Sequence, residues 1–389
     1  MAIQSHLYAN DNRLPAKRRR ASIDILFLVI LLVLLLVGLG MLYSASSAQS
    51  QYDTGYRIST RYLQKQGICA VIGLVAMTVI SRIHPDVWLK LAWPLYGVTI
   101  LLLLLVLLFG QSVNGAQRWI NIGGLQFQPS EIAKLTLIVM FARLTKGFGT
   151  RAKQFRFGVL GFGAALLGIL IPLALEKHLS AIMLMGMVAV VMMFVAGTDP
   201  KWLLLGAAAA VVFVVVYVSL MGYAGDRITA WLHPEQDPSD TGYQILQSLY
   251  AIGSGGLFGL GLGKSRQKYL YLPFQYNDYI FAIICEELGL FGALVIMALF
   301  AALILRGYWL ALHAPDRFST VLCAGVVTLI AVQTLLNLGV VTNLLPSTGI
   351  SLPFFSYGGT ALAVNLAEMG IVLSVSRFRN SVKRQEAVL

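Results

Sequence analysis

Apolar runs of bilayer-crossing length recur along the whole chain. A helix of roughly 17 to 25 apolar residues covers the hydrocarbon layer. Backbone polar groups at that depth must be satisfied within the segment, so such runs read as helices. Nine are placed at about 23–44, 66–81, 91–109, 157–175, 179–197, 202–221, 279–305, 318–340 and 355–376. A tenth, about 129–144, opens with Pro129-Ser130-Glu131 and carries Lys134. Pro129 fits the first helical position, and Ser130 and Glu131 suit the positive end of the helix dipole. With 58% hydrophobic and only 12% charged residues in 389, the expected fold class is an all-α polytopic membrane protein.

Charge placement orients the spans. The net charge of +12 comes largely from short basic clusters at the ends of apolar runs, which argues against nucleic acid as a partner. With a cytoplasmic N-terminus, one side collects the run 17–20, then Arg82, Lys90, the cluster Arg143 to Arg156, Lys201, Arg306, Arg317 and the basic tail. That is about two thirds of all lysines and arginines, as the positive-inside rule requires. Ten spans put both termini inside; removing the 129–144 span would send the 143–156 cluster outside. The first helix follows a polar, basic stretch without a small-residue cleavage pattern, which predicts a retained helix. The expected organisation is a cytoplasmic tail over 1–22, one transmembrane domain over 23–377 and a second tail over 378–389. Cys69, Cys285 and Cys323 all fall in apolar runs and imply no disulfide framework.

Two outer loops follow from this topology. The short one, about 110–128, contains Asn114-Gly115-Ala116-Gln117-Arg118-Trp119. The long one, about 222–278, lies between the seventh and eighth spans. It holds a turn at His233–Pro238, an amphipathic stretch from Tyr243 to Ile252, then glycines at 253, 255, 256, 259, 261 and 263. A loop of this length in a compact fold is usually functional. It ends at Asp278, an acid where the chain re-enters apolar helix. A carboxylate with access to both lipid and water is well placed to take a proton from a sugar hydroxyl.

Each other charged group has two readings. Glu131 and Lys134 share a helix face and form either a structural ion pair or a charged cavity wall. Arg118, beside Trp119, either snorkels at the interface or binds a phosphate group. Lys264, Arg266 and Lys268 follow the glycines but lack the Gly-Lys-Ser/Thr ending of a nucleotide loop. They meet either anionic lipid headgroups or a substrate. Glu286, Glu287 and Glu368 lie inside spans, where pairing or packing is the simplest role and proton relay the other. Glu176 and His178 are two ligands at most and do not make a metal site.

The strings Asn114-Gly115-Ala116-Gln117-Arg118-Trp119-Ile120, Phe127-Gln128-Pro129-Ser130-Glu131-Ile132-Ala133-Lys134, Ala251-Ile252-Gly253-Ser254-Gly255-Gly256, Asn277-Asp278-Tyr279-Ile280-Phe281-Ala282 and Leu352-Pro353 with Ser356-Tyr357-Gly358-Gly359 resemble the SEDS family (shape, elongation, division and sporulation), whose members include FtsW, RodA and SpoVE. The resemblance runs from the third span to the last. It implies polymerisation of lipid II, the undecaprenyl-diphosphate-linked disaccharide of peptidoglycan, at the extracytoplasmic face of a bacterial cell membrane. It also implies a class B penicillin-binding protein as partner, with other division or elongation membrane proteins around it. The acid at Asp278 is then the catalytic base, and Arg118, Glu131 and Lys134 contact substrate. Lys264 and Arg266 are weaker candidates, and Lys65 stands where the family usually has arginine. The stretch 261–268 looks more like the division and sporulation branch.

Two further positions depart from the family pattern. Phe274 follows Leu272-Pro273 where a glutamate is usual, and Glu176-Lys177-His178 replaces a Gln-Pro-Asp-like string. No dedicated metal cage is visible; a divalent cation, Mg or Mn, could share the neutralisation of diphosphate charge. A lipid flippase or other transporter is the main rival, since many spans and intramembrane charges also suit alternating access. A scaffold that only recruits partners is the third reading.

Overall fold

The computed structural model describes residues 22–113, 116–122, 125–206, 208, 212, 229–236 and 241–378. The tails, most of the expected 202–221 span, the Asn114-Gly115 and Gly123-Gly124 pairs and parts of the long loop lie outside the described residues. What is described is mostly helical. In chain order the helices are α1 (Ile25–Asp53), α2 (Arg61–Ile80), α3 (Pro85–Phe109), α4 (Pro129–Phe148), α5 (Phe162–Leu175), α6 (Leu179–Val195), α7 (Thr241–Gly255), α8 (Ile280–Leu312), α9 (Arg317–Val341) and α10 (Gly359–Phe378). A short 3-10 segment and one π turn lead from α4 into α5.

Seven of these segments are long and apolar enough to cross a membrane among the described residues. The 17-residue α6 is apolar but shorter. One departure from the all-helical expectation is a small antiparallel sheet, β1 (Gln111–Val113), β2 (Ala116–Ile122) and β3 (Leu125–Phe127), in that order. It pairs Gln111 with Trp119 and Ile120 with Phe127, and it delivers the chain to the start of α4.

Burial separates the core from the lipid-facing shell. The apolar window of α9 is 78% buried and that of α10 is 67%, against 22% for α3 and 28% for α2 and α8. Helix α4 is buried along nearly its whole first three turns. The centre is therefore α9 and α10 with α4, and the outer helices turn residues such as Leu36, Leu104 and Leu108 outward. Exposed apolar side chains are expected where the surrounding solvent is hydrocarbon. At one end, Asp24 caps α1 by accepting from the Phe27 amide (3.0 Å). It also receives a two-pronged contact from Arg306 (3.1 and 2.7 Å), tying the start of α1 to the end of α8.

The glycine-rich segment has a structural explanation. Helix α8 is broken at Gly289, which adopts φ 67°, ψ −171°. The chain after α7 crosses α8 at this break and exchanges main-chain hydrogen bonds with it. Leu260 and Gly261 donate to the carbonyls of Glu286 and Glu287 (2.9 and 3.0 Å), and Leu290 and Phe291 donate to Gly256 and Leu257 (2.9 and 3.1 Å). A Cβ at Gly259 would lie 2.2 Å from the Glu287 carbonyl oxygen, and one at Gly289 would lie 2.3 Å from the Gly259 nitrogen. Only bare backbone fits there. The glycines allow a close crossing.

The two glutamates at the crossing are paired. Glu286 accepts from the Ser265 hydroxyl and the Arg266 amide (2.9 Å). Glu287 accepts from Ser44 (2.7 Å) and forms a buried ion pair with Lys268 at 3.1 Å. This clamp holds the segment 261–268 against α1 and α8.

Candidate active site

Asp278 is half-buried, two residues before the first residue of α8. The carbonyls of three successive residues are held from outside. Tyr276 accepts from the Tyr357 amide (2.9 Å), Asn277 from the Ser356 hydroxyl (2.7 Å) and Asp278 from the Asn337 amide (2.7 Å). The last two come from α9 and from the irregular strap 343–358 between α9 and α10. The expected last span starts at 355, but the helix begins at Gly359, because Phe354 turns left-handed (φ 67°) and the strap is still being folded.

Buried amides stitch the strap. Asn337 also donates to Ile350 (2.8 Å), and Gln333 donates to Ser351 (3.0 Å). Gln66 on α2 donates to the Ser356 carbonyl (3.1 Å) and accepts from the Gly358 amide (3.1 Å). Non-helical backbone inside a membrane protein needs such partners. The strap presents Gly349, at φ 71°, to the acid: a Cβ there would lie 3.3 Å from Asp278 Oδ2. Beside it, Tyr62, Tyr276 and Tyr357 form a cluster, with ring centroids 4.5 Å apart for Tyr62–Tyr276 and 4.9 Å for Tyr62–Tyr357.

A second group of charges lies across the strap. Lys134 Nζ is 2.7 Å from Glu131 Oε2, and both side chains are buried. Arg118 on β2 donates to the Lys177 carbonyl in the α5–α6 turn. That turn also carries Glu176 and His178, both buried. Burial pushes the Glu176 carboxyl up to about 8, against the opposing pull of Arg118. Burial, reinforced by the charges of Arg118 and Lys134, holds the His178 imidazole down to about 3. Two residues on, Ser180 donates to the Thr348 carbonyl, next to the Gly349 that faces Asp278. The strap beside Asp278 is thus linked, through Ser180, to the α5–α6 turn that Arg118 holds.

From the middle of α10, Glu368 feels the charges of Lys134 and Glu131. Its oxygens, with Ser130 Oγ, Thr334 Oγ1 and Asn365 Oδ1, are buried and have no hydrogen-bond partner among the described residues. Buried polar groups inside a helical bundle are costly unless they are partnered or used.

The remaining candidates lie elsewhere. Lys65, on α2 one turn from Tyr62, is exposed, and so are Lys264 and Arg266. The cavity walled by Lys264 and Arg266 does not include Asp278. Lys268, next to them in sequence, is committed to Glu287. Asn337, Gln333 and Gln66 were missed from sequence, although an available signal was the pair Gln333 and Asn337, four apart on one face of an apolar run. Among the described residues no three His, Cys, Asp or Glu side chains are grouped to hold a metal ion.

Residues 24–381 match the family of cell cycle proteins described by FtsW, RodA and SpoVE. The chain belongs to that family. It is 41% identical to the probable peptidoglycan glycosyltransferase FtsW of Geobacter metallireducens over 91% of this chain and 94% of the relative. It is 39% identical to stage V sporulation protein E of Bacillus subtilis over 92% and 98%. Among solved structures it resembles a chain from a peptidoglycan synthase complex that couples polymerisation and crosslinking, with a TM-score of 0.78 and 29% identity over 92% of this chain and 99% of that one. The family member described here is accordingly a multi-pass membrane protein.

Proposed function

We propose that this protein is a peptidoglycan glycosyltransferase that polymerises lipid II, with Asp278 as general base. The observation that carries the reaction class is near full-length similarity to a peptidoglycan glycosyltransferase. What supports the base is the hold on Asp278: its carbonyl is fixed by Asn337, and its carboxylate lies beside the bare backbone of Gly349. A base works when its position is set relative to the proton it takes.

In the proposed step, Asp278 accepts the proton of the 4-hydroxyl of an acceptor GlcNAc. The freed oxygen electron pair forms a bond to the anomeric carbon of a lipid-linked MurNAc. The bond from that carbon to the diphosphate breaks, and undecaprenyl diphosphate leaves with the electron pair. Displacement inverts an α-linked donor to a β-1,4 product. Negative charge grows on the leaving diphosphate, so fixed cations lower the barrier selectively. Lys134 and Arg118 take that role, and Glu131 holds Lys134 in place. Lys65, at the rim near the tyrosines, is the outer candidate for the headgroup, whereas Lys264 and Arg266, expected from sequence as weaker substrate contacts, line a cavity that does not include Asp278. A divalent cation travelling with the diphosphate would act in the same sense.

The topology that goes with this reading has ten spans in one domain over 23–377, both termini cytoplasmic and Asp278 on the extracytoplasmic face. A class B penicillin-binding protein is the proposed partner, since the similar synthase complex couples polymerisation with crosslinking. The relatives named FtsW and stage V sporulation protein E favour a division or sporulation role. One observation favours transport of the lipid: Glu368 sits in mid-helix with oxygens that have no hydrogen-bond partner among the described residues, where a carrier would place an ionisable group. Labelled lipid II supplied to protein in liposomes, with and without the partner, separates the two. Glycan chains establish polymerisation, and movement of lipid II across the bilayer without chains establishes transport.

A further inference from the structure

A groove runs along α1 on the side where the 261–269 segment is clamped. Val37, Gly40, Met41, Ser44, Ser47 and Gln51 line it at helical spacing, so it follows one face of α1. The facing wall is Leu262, Gly263, Tyr269 and Leu288, and the cavity measures about 720 Å³. Its lining grades from apolar at Val37, Gly40 and Met41 to hydroxyl and amide at Ser47 and Gln51. From Val37 to Gln51 the helix rises about 21 Å, which covers one leaflet's hydrocarbon of about 15 Å and part of its headgroup layer.

A second cavity of about 760 Å³ adjoins the groove, sharing Gly263 and Tyr269, near the level of Ser44. Lys264 and Arg266 line it. Both side chains are exposed, while the neighbouring Lys268 is neutralised by Glu287. The backbone between the two cations is fixed, because Glu286 holds the Ser265 hydroxyl and the Arg266 amide. A pair of cations on a fixed backbone thus stands beside an amphipathic channel.

We propose that this groove is a binding site for an anionic phospholipid of the surrounding leaflet. One acyl chain lies along Val37, Gly40 and Met41, and the phosphate lies between Lys264 and Arg266. Charge complementarity selects the anionic headgroup, since basic residues near a membrane surface attract anionic lipid. The gradient of the lining and its one-leaflet length select a bilayer lipid. Neither cavity includes Asp278 or Lys134, so the site is separate from the proposed reaction centre. Occupancy would brace α1 against the segment that leads to Asp278.

The test uses the full chain reconstituted in vesicles of equal phosphatidylglycerol and phosphatidylcholine with matched acyl chains. The protein is extracted in mild detergent and the retained lipid is measured by mass spectrometry. Wild type should retain phosphatidylglycerol over phosphatidylcholine by roughly tenfold. The double variant K264E/R266E should bring that ratio to one or below. Gly40→Leu should reduce both retained lipids severalfold. Nothing lies within 4 Å of a Cβ at Gly40, so leucine enters the groove and not the core, and it is also a better helix former. Equal retention of the two lipids by wild type, or wild-type retention by both variants, would overturn the proposal. Stoichiometric displacement of phosphatidylglycerol by added undecaprenyl phosphate would overturn it too, and would make the groove part of the substrate path.

Discussion

One side chain, Asn337, holds the main chain of Asp278. Its amide nitrogen donates to the Asp278 carbonyl at 2.7 Å and to the Ile350 carbonyl at 2.8 Å. The acid and the strap that faces it are therefore set from a single point on the most deeply buried helix.

Asn337→Ala should misplace the acid. The buried Ile350 carbonyl loses its donor, at about 1–3 kcal/mol of stability, and the half-buried Asp278 carbonyl loses its anchor. A shift of about 1 Å in a catalytic group costs on the order of a hundredfold in rate. Turnover of labelled lipid II, measured beside a thermal melt, should fall by at least tenfold in kcat with a smaller change in KM. A melt that drops while kcat per folded molecule holds would leave Asn337 as a packing residue alone.

The buried Glu131–Lys134 pair permits a double-mutant cycle. Removing one partner strands a buried charge, which costs about 3–5 kcal/mol, whereas replacing both by apolar groups is often nearly neutral. Lys134→Met and Glu131→Leu alone should each lower stability. The double variant Glu131→Leu/Lys134→Met should regain much of it and remain inactive in polymerisation. Recovery of activity with recovery of stability would assign the pair a structural role only.

At the crossing of the glycine segment with α8, Gly259→Ala should be among the most damaging small substitutions. The added Cβ meets the Glu287 carbonyl oxygen at 2.2 Å, and Gly259 sits at φ 77°. Folded yield in detergent should drop sharply. Gly253→Ala, with open space around it, should be tolerated. Equal yields for the two would contradict the close backbone crossing.

The α5–α6 turn should impose opposite pH trends on stability. Glu176 holds its proton up to about 8 when folded, against an ordinary 4.5. Its contribution is full below 4.5 and is lost as pH rises from there through about 8. His178 stays neutral down to about 3 when folded, against an ordinary 6.5, so its contribution is full above 6.5 and is lost as pH falls. The two trends oppose each other between 4.5 and 6.5, and above 6.5 only the Glu176 loss remains. Melting temperatures from pH 5 to 9 should show Glu176→Gln gaining on wild type as pH rises. A constant difference between them would remove the titration of Glu176 from the account.

The helices were legible because length and apolarity alone force them. The run expected at 279–305 is the core of α8 (Ile280–Leu312), and that at 318–340 is α9 (Arg317–Val341). Asp278 was legible as an acid at a helix entrance, and Glu131–Lys134 as a pair from their spacing. The strap was not, because Leu352-Pro353-Phe354-Phe355 is as apolar as the helix after it, and its irregular path depends on amides from Gln66, Gln333 and Asn337 that are distant in sequence. The β1–β3 sheet escaped because strands of three to seven residues carry too little periodicity beside bilayer-length runs. Lys264 and Arg266 looked equivalent to Lys268, yet a buried glutamate on α8 takes only the last of them.

The most direct test of the central claim compares wild type with Asp278→Asn on labelled lipid II, each with a cognate class B penicillin-binding protein. Asparagine keeps the shape and the Asn337 contact, which uses only the main chain, and removes the base. The account predicts glycan chains from wild type and none from the variant at equal folded protein and unchanged partner binding. Chains from Asp278→Asn at the wild-type rate would contradict it.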